Sequence, residues 1–161
     1  ADAVVYDIGA GTGSCTVELA LQAPFGRVYA FEINDDALRV LKQNIAHFDL
    51  SNVTVVAGDA GERLKDIETP PDYAFIGGTK GRLAAILDEL YGKNEACAIV
   101  VTAITIETLA ALTAYYGSRR DYDLDITQVS TARSQKVGAS HLMMAQNPIY
   151  IVTIVRKDET R

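Results

Sequence analysis

The sequence predicts an α/β domain with a mostly parallel, seven-stranded sheet that an antiparallel pair of strands closes. Three observations predict it. A buried-strand pattern, Val4-Val5-Tyr6-Asp7-Ile8, runs straight into the glycine turn Gly9-Ala10-Gly11-Thr12-Gly13 and a helix. Strand and helix patterns then alternate as far as Leu112, which predicts parallel strands with helices on both faces. The last third holds two strand patterns with no helical period between them, and such strands pair antiparallel.

Each element has its own signal. Val4, Val5 and Ile8 make the apolar, β-branched run of a strand covered on both faces. Ser14 is suited to cap the first helix, whose apolar residues are Val17, Leu19, Ala20 and Leu21, and Pro24 and Gly26 end it. Arg27 to Phe31 is the second strand, ending at Glu32, and Asn34 is a plausible N-cap. Leu38, Leu41, Ile45 and Phe48 fall at spacings of three and four, on one helical face. Val53 to Val56 is the third strand and leads into Gly58-Asp59-Ala60.

After a short helical turn and the breaker Thr69-Pro70-Pro71, Tyr73 to Ile76 is a fourth strand ending at Gly77-Gly78. Leu83, Ile86, Leu87 and Leu90 mark the next helix, Ala98 to Val101 the fifth strand, and Ile106, Leu109 and Leu112 a further helix. Leu124 to Val129 and Ile149 to Val155 are the closing strands, with a loop of about twenty residues expected between them. No repeat or internal boundary interrupts the 161 residues, so 1–161 reads as a single domain. Only Ala1, Asp2 and Ala3 precede the first strand, and the reading expects an upstream segment to be lacking.

Composition narrows the function. The net charge of −6 argues against a nucleic-acid binder, because phosphate contacts need clustered Lys and Arg. No apolar stretch approaches the roughly 18 residues of a membrane span, so no membrane partner and a cytoplasmic location are expected. Cys15 and Cys97 form no C-x-x-C pair and share no ligand spacing with His47 or His141, so no metal is expected and both cysteines read as packing residues.

Two cofactor classes use a strand, a glycine turn and a helix in this way. The dinucleotide fingerprint is G-x-G-x-x-G. Here the spacing is Asp7-x-Gly9-x-Gly11-x-Gly13 with Ser14 next, which looks like the S-adenosyl-L-methionine loop of class I methyltransferases. A turn with a purely structural purpose is the competing reading. Glu32, with Ile33 beside it, lies about twenty residues further on, where a carboxylate accepts ribose hydroxyls. Asp59 sits where that class places the acid that meets the adenine amino group, with the N–H of Ala60 at the ring edge. An N-cap is the plainer role for Asp59. Acids after three neighbouring strands favour the cofactor.

Methyl transfer from a sulfonium needs alignment more than activation. No nucleophilic triad is visible, and the catalytic group is unknown; His141 and Arg133 in the late loop are the candidates. The segment after strand four, Ile76-Gly77-Gly78-Thr79-Lys80-Gly81-Arg82, has no side chain suited to gripping an amide. Asn147-Pro148-Ile149-Tyr150 resembles an amide-gripping motif but leads into the last strand. Small residues at Gly77 and Gly78 leave room for a large flat substrate. Lys80, Arg82, Arg133 and Lys136, in two expected rim loops, suit one bearing several carboxylates.

Asp7 to Ser14, Phe75-Ile76-Gly77-Gly78 and Ala145-Gln146-Asn147-Pro148-Ile149-Tyr150-Ile151 together resemble the decarboxylating precorrin methyltransferases of cobalamin biosynthesis. The likeness is to the CbiT type, or to the C-terminal domain of the fused CobL type. It covers almost the whole chain, and Ala10 stands where the family usually has cysteine or a similarly small residue. The resemblance implies the class I, Rossmann-like fold and S-adenosyl-L-methionine as donor. It implies methylation of precorrin-6Y, or its cobalt analogue, at carbon 15 with loss of carbon dioxide from the acetate at carbon 12. It further implies a homo-oligomer, a tetramer, working with or fused to a carbon 5 methyltransferase. The other readings are a methyltransferase acting on RNA or a protein side chain, and a non-catalytic cofactor-binding module.

Overall fold

The computed structural model describes residues 2–157. The elements run β1 (Val4–Ile8), α1 (Ser14–Gln22), β2 (Arg27–Glu32), α2 (Asp35–His47), β3 (Val53–Ala57) and α3 (Ala60–Arg63), the last continued by a 3₁₀ turn at Leu64–Asp66. Then come β4 (Tyr73–Ile76), α4 (Leu83–Lys93), β5 (Ala98–Ala103), α5 (Ile106–Tyr116), β6 (Tyr122–Val129), β7 (Ala132–Val137), β8 (Ser140–Ala145) and β9 (Ile149–Arg156). Residues 1 and 158–161 of the expected domain lie outside the described ones. Among the described residues no helix is long and apolar enough to cross a membrane.

The main sheet has seven strands in the order β3-β2-β1-β4-β5-β9-β6. The first five are parallel, and β9 runs antiparallel to both β5 and β6. This is the predicted class, and the insertion of β9 between β5 and β6 is a detail that local sequence could not supply. The order reverses direction at β1, so a crevice opens between the carboxyl ends of β1 and β4.

One face of the sheet carries the larger core. Tyr6, Ile8, Phe31, Ile76 and Ile99 pack there against Ile86, Leu87 and Leu90 of α4 and Leu112 of α5. On the other face α1 covers Val5 and Val28 through Ala20, and α2 covers Ala30 through Leu38 and Leu41. The expectation of helices on both faces holds only in part. On the α1 side, a cavity of about 460 Å³ lined by Tyr73, Phe75, Val100, Thr153 and Val155 lies over β4, β5 and β9, and Tyr73 is 54% exposed.

Three local expectations are corrected. The loop expected between the last two strands is a hairpin, β7 paired with β8. Its two-residue turn places Gly138 at φ 62, the positive angle that a tight hairpin asks of glycine. The signal was hidden because both strands are exposed throughout, so no period-2 burial shapes their sequence. Ser14 does not cap α1: Gly13 holds the N-cap position, and no side chain caps the helix. The helix expected around Ile106, Leu109 and Leu112 forms as α5 and buries Leu112 and Tyr116, but Ile106, its first residue, is 81% exposed.

Candidate active site

The carboxyl ends of the central strands are pinned to one another by backbone hydrogen bonds. The N–H groups of Gly9 and Ala10 both donate to the Phe31 carbonyl at 3.0 Å, which holds the glycine turn against the end of β2. Gly58 N–H donates to the Glu32 carbonyl (2.9 Å), and Gly77 N–H donates to the Ile8 carbonyl (2.8 Å). The turn after β1 therefore touches those after β2 and β4. Gly9 sits at φ 75, and a Cβ there would lie 2.8 Å from the Gly78 nitrogen, so only glycine allows the two turns to meet. Asn44 of α2 adds a strut by donating its amide to the Thr12 carbonyl at 2.8 Å.

A cavity of about 160 Å³ opens between these loops. Gly9, Glu32, Ile33, Gly58, Asp59, Ala60 and Gly61 line it together with Gly78, Thr79 and Lys80, and Gly9 packs directly on Gly78. Of the residues predicted for the cofactor, Gly9, Glu32, Ile33, Asp59 and Ala60 thus line one cavity. Ala10, Gly11, Thr12 and Gly13 form the turn beside it. Asn44, Gly58, Gly61 and Thr79 went unrecognised in sequence. Gly58 and Gly61 flank the Asp59-Ala60 pair that drew attention, whereas nothing local marks Asn44.

The acids are arranged as hydrogen-bond acceptors. Glu32 receives Gly11 N–H on Oε2 (2.7 Å), and Ile33 and Asn34 N–H on Oε1 (2.8 and 2.7 Å). Three of about four acceptor positions on the carboxylate are thereby engaged, and the remaining capacity is on Oε2. Asp59 caps α3 by receiving Gly61 N–H on Oδ1 (2.9 Å), so the plainer role proposed for it is real. Arg82 donates to the same oxygen at 3.1 Å. Among the described residues no hydrogen bond falls on Oδ2, which stays free for a ligand.

Asp7 is fully buried at the end of β1. Thr16 Oγ1 donates to its Oδ2, while Oδ1 has no hydrogen-bond partner among the described residues. Burial raises its carboxyl to about 6; the Thr16 hydrogen bond opposes that shift and the Glu32 charge adds to it. The thiol of Cys15 is also pushed up, by burial and by Asp7. An orphaned buried carboxylate oxygen beside a second acid is a site that favours a cation. The chemistry of the donor set therefore fits a ligand with a positively charged amino-acid tail, ribose hydroxyls and an amino-bearing base.

The acceptor side is only half assembled. Gly78 has open space where a Cβ would point, as expected for a roomy substrate face, whereas Gly77 abuts the Gly9 carbonyl. Lys80 lines the cavity and holds φ 48, unusual for a side chain of its length. Arg133, Lys136 and His141 stand on the exposed hairpin strands, where the sequence reading had a loop, with Lys136 opposite His141. Among the described residues no hydrogen bond or ion pair ties these three to the cavity wall. The hairpin does spring from the carboxyl edge, because Val129 and Ile149 pair beside the end of β5. Asn147-Pro148 lies at that same edge, since β9 runs backwards, but beyond β5 from the cavity. His47 is exposed in the last turn of α2, remote from this chemistry.

Residues 1–156 match the family model described as the precorrin methyltransferase domain. The chain belongs to that family. A Methanocaldococcus jannaschii protein bearing the name probable cobalt-precorrin-6B C(15)-methyltransferase (decarboxylating) is 37% identical over 157 residues, covering 96% of this chain and 81% of the relative. The structure called precorrin-6y C5,15-methyltransferase from Geobacter metallireducens superimposes with a TM-score of 0.84 at 32% identity, over 97% of this chain and 80% of that one. The structure called precorrin 8w decarboxylase from Methanobacterium thermoautotrophicum does so with a TM-score of 0.81, also at 32% identity, over 97% and 82%. For this precorrin methyltransferase domain, the class I fold is thus established by neighbours that share both its sequence and its topology.

Proposed function

We propose that this domain methylates a precorrin macrocycle at carbon 15, with decarboxylation of the acetate at carbon 12, in cobalamin biosynthesis. The observation that carries the reading is the single cavity lined by Gly9, Glu32, Asp59 and Ala60, with the buried, orphaned Asp7 oxygen on the strand that leads into its glycine turn, in a chain of this family. Asp7 and the turn from Gly9 to Gly13 take the amino-acid tail of S-adenosyl-L-methionine, Glu32 takes the ribose, and Asp59 with the Ala60 N–H takes the adenine. Bound there, the cofactor supplies an electrophilic methyl group on a sulfonium, which needs no acid to assist its departure. The residues around it have to align and desolvate rather than activate.

Gly77 packs on the glycine turn and Arg82 is engaged by Asp59. Gly78 gives an open, flat face to the macrocycle, and Lys80, Arg133 and Lys136 receive its carboxylates. Holding them leaves the carbon 12 acetate in the drier interior of the crevice, where the conjugated ring takes up the electrons released with carbon dioxide. His141 and Arg133 are the candidate catalytic groups on the hairpin, His141 as a proton carrier and the permanently charged Arg133 as a carboxylate partner. Exposed Val137, Leu142, Met143 and Met144 on that hairpin support assembly into a homo-oligomer, a tetramer by family resemblance. A cytoplasmic location suits Cys15 and Cys97, which are both free. The carbon 5 methylation then falls to a fused or separate partner.

The test is direct. Incubation with precorrin-6Y, or its cobalt form, and the donor yields a product heavier by one methyl group and lighter by one carbon dioxide. Unchanged macrocycle, under conditions in which the protein binds S-adenosylhomocysteine, refutes the proposal.

A further inference from the structure

Arg82 stands at the N-cap of α4, yet its side chain turns away from that helix. It crosses to the first turn of α3, where Nη1 lies 3.1 Å from Asp59 Oδ1 and 3.6 Å from Glu62 Oε1. The stem passes close over Gly61, where a Cβ would meet the Arg82 Cδ at 3.1 Å. Arg82 does not itself line the cavity, but the carboxylate it touches does.

Asp59 has two donors on one oxygen, the Gly61 N–H and the Arg82 guanidinium, and none on the other. One donor leaves a carboxylate free to swing about its last torsion. Two converging donors of different elements fix the plane of the group and keep Oδ2 as the acceptor offered to a ligand. We infer that Arg82 is a positioning residue for adenine recognition, acting through Asp59 to make the pocket select a base that carries an exocyclic amino group. This rests on the cofactor reading given above. The chemistry is that of a site built to accept a hydrogen bond: a base offering a carbonyl oxygen in place of the amino group faces a carboxylate, acceptor against acceptor.

The role also links two halves of the crevice. Arg82 closes the loop between β4 and α4, its own N–H donating to the Thr79 carbonyl at 2.9 Å, and that loop carries Gly78 and Lys80 on the acceptor side. Its guanidinium reaches Asp59, the acid that follows β3.

The experiment is calorimetric titration of the full chain with S-adenosylhomocysteine and with S-inosylhomocysteine, without any tetrapyrrole, so that contacts to a macrocycle do not enter. The wild type prefers the adenosyl compound. In Arg82→Ala this preference shrinks about three- to tenfold, the range a half-exposed charge-assisted contact supports, through weaker adenosyl binding alone. Arg82→Met, which keeps the stem over Gly61 and removes the donor, behaves like Arg82→Ala and replaces it should that variant not fold. Arg82→Lys restores part of the preference. An unchanged adenosyl-to-inosyl ratio in the Ala and Met variants overturns the inference while leaving the cofactor reading intact. Failure of the wild type to bind either compound overturns both.

Discussion

Asp7 shows how one residue links stability to ligand binding. Its folded pKa of about 6 lies above the ordinary carboxylate value of 3.8, so the folded chain holds this proton more tightly than the unfolded chain does. The contribution of the group to stability is therefore greatest below about pH 4 and declines as pH rises through 6, by on the order of 2 to 3 kcal/mol. A cationic tail bound beside Asp7 reverses the penalty. Melting curves from pH 4 to 7.5 should show the free protein losing stability across that window and the shift from saturating S-adenosylhomocysteine growing. In Asp7→Asn the free protein melts higher at pH 7.5, its pH slope flattens, and affinity for the ligand falls. Gly9 is the second test at this scale. Gly9→Ala puts a Cβ against Gly78 backbone at a positive φ, and urea unfolding should report a loss of about 1 to 3 kcal/mol.

Among the elements, the hairpin β7–β8 is where the proposed roles of the two ligands can be told apart. In the proposed reading the glycine turn, β2 and β3 serve the cofactor, and among the described residues no hydrogen bond or ion pair ties Arg133, Lys136 or His141 to them. Arg133→Ala and Lys136→Ala should therefore each raise KM for the macrocycle about two- to fivefold, as expected for exposed charge contacts, with calorimetry showing unchanged S-adenosylhomocysteine affinity. A parallel loss of cofactor affinity would remove the hairpin from the acceptor side. The helices α4 and α5 do different work: the hydroxyls of Tyr91 and Tyr116 meet at 2.6 Å in the core near Tyr122, at the amino edge of the sheet and away from the site. Burial pushes both phenols upward, so they stay neutral and act as struts.

For the whole molecule, exposure is the informative property. The hairpin leaves Met143 68% and Leu142 50% exposed on a pair of strands that has little stability of its own in water. Leu142 and Met144 share one face of the hairpin and Met143 lies on the other. Assembly through the Leu142 face is expected to give a sedimentation mass that is a multiple of the protomer, and Leu142→Glu with Met144→Glu should shift it to the protomer value. A wild-type chain that sediments as a monomer at micromolar concentration refutes the oligomer.

Much was legible in the sequence because its signals are local. Val4 to Gly13 encode a buried strand and a turn, Glu32 and Asp59 follow their strands by simple adjacency, and the loss of helical period after Leu112 marks the antiparallel close. Those patterns determined the α/β class, the family and most of the residues that line the candidate cofactor cavity. The tertiary structure decided what depends on contacts between distant segments: β9 inserted between β5 and β6, Asn44 bracing Thr12, Arg82 turned onto Asp59, and the hairpin that removed Arg133, Lys136 and His141 from an expected loop. A strand's burial leaves a pattern in its own residues, whereas a side chain's partner across the crevice leaves none.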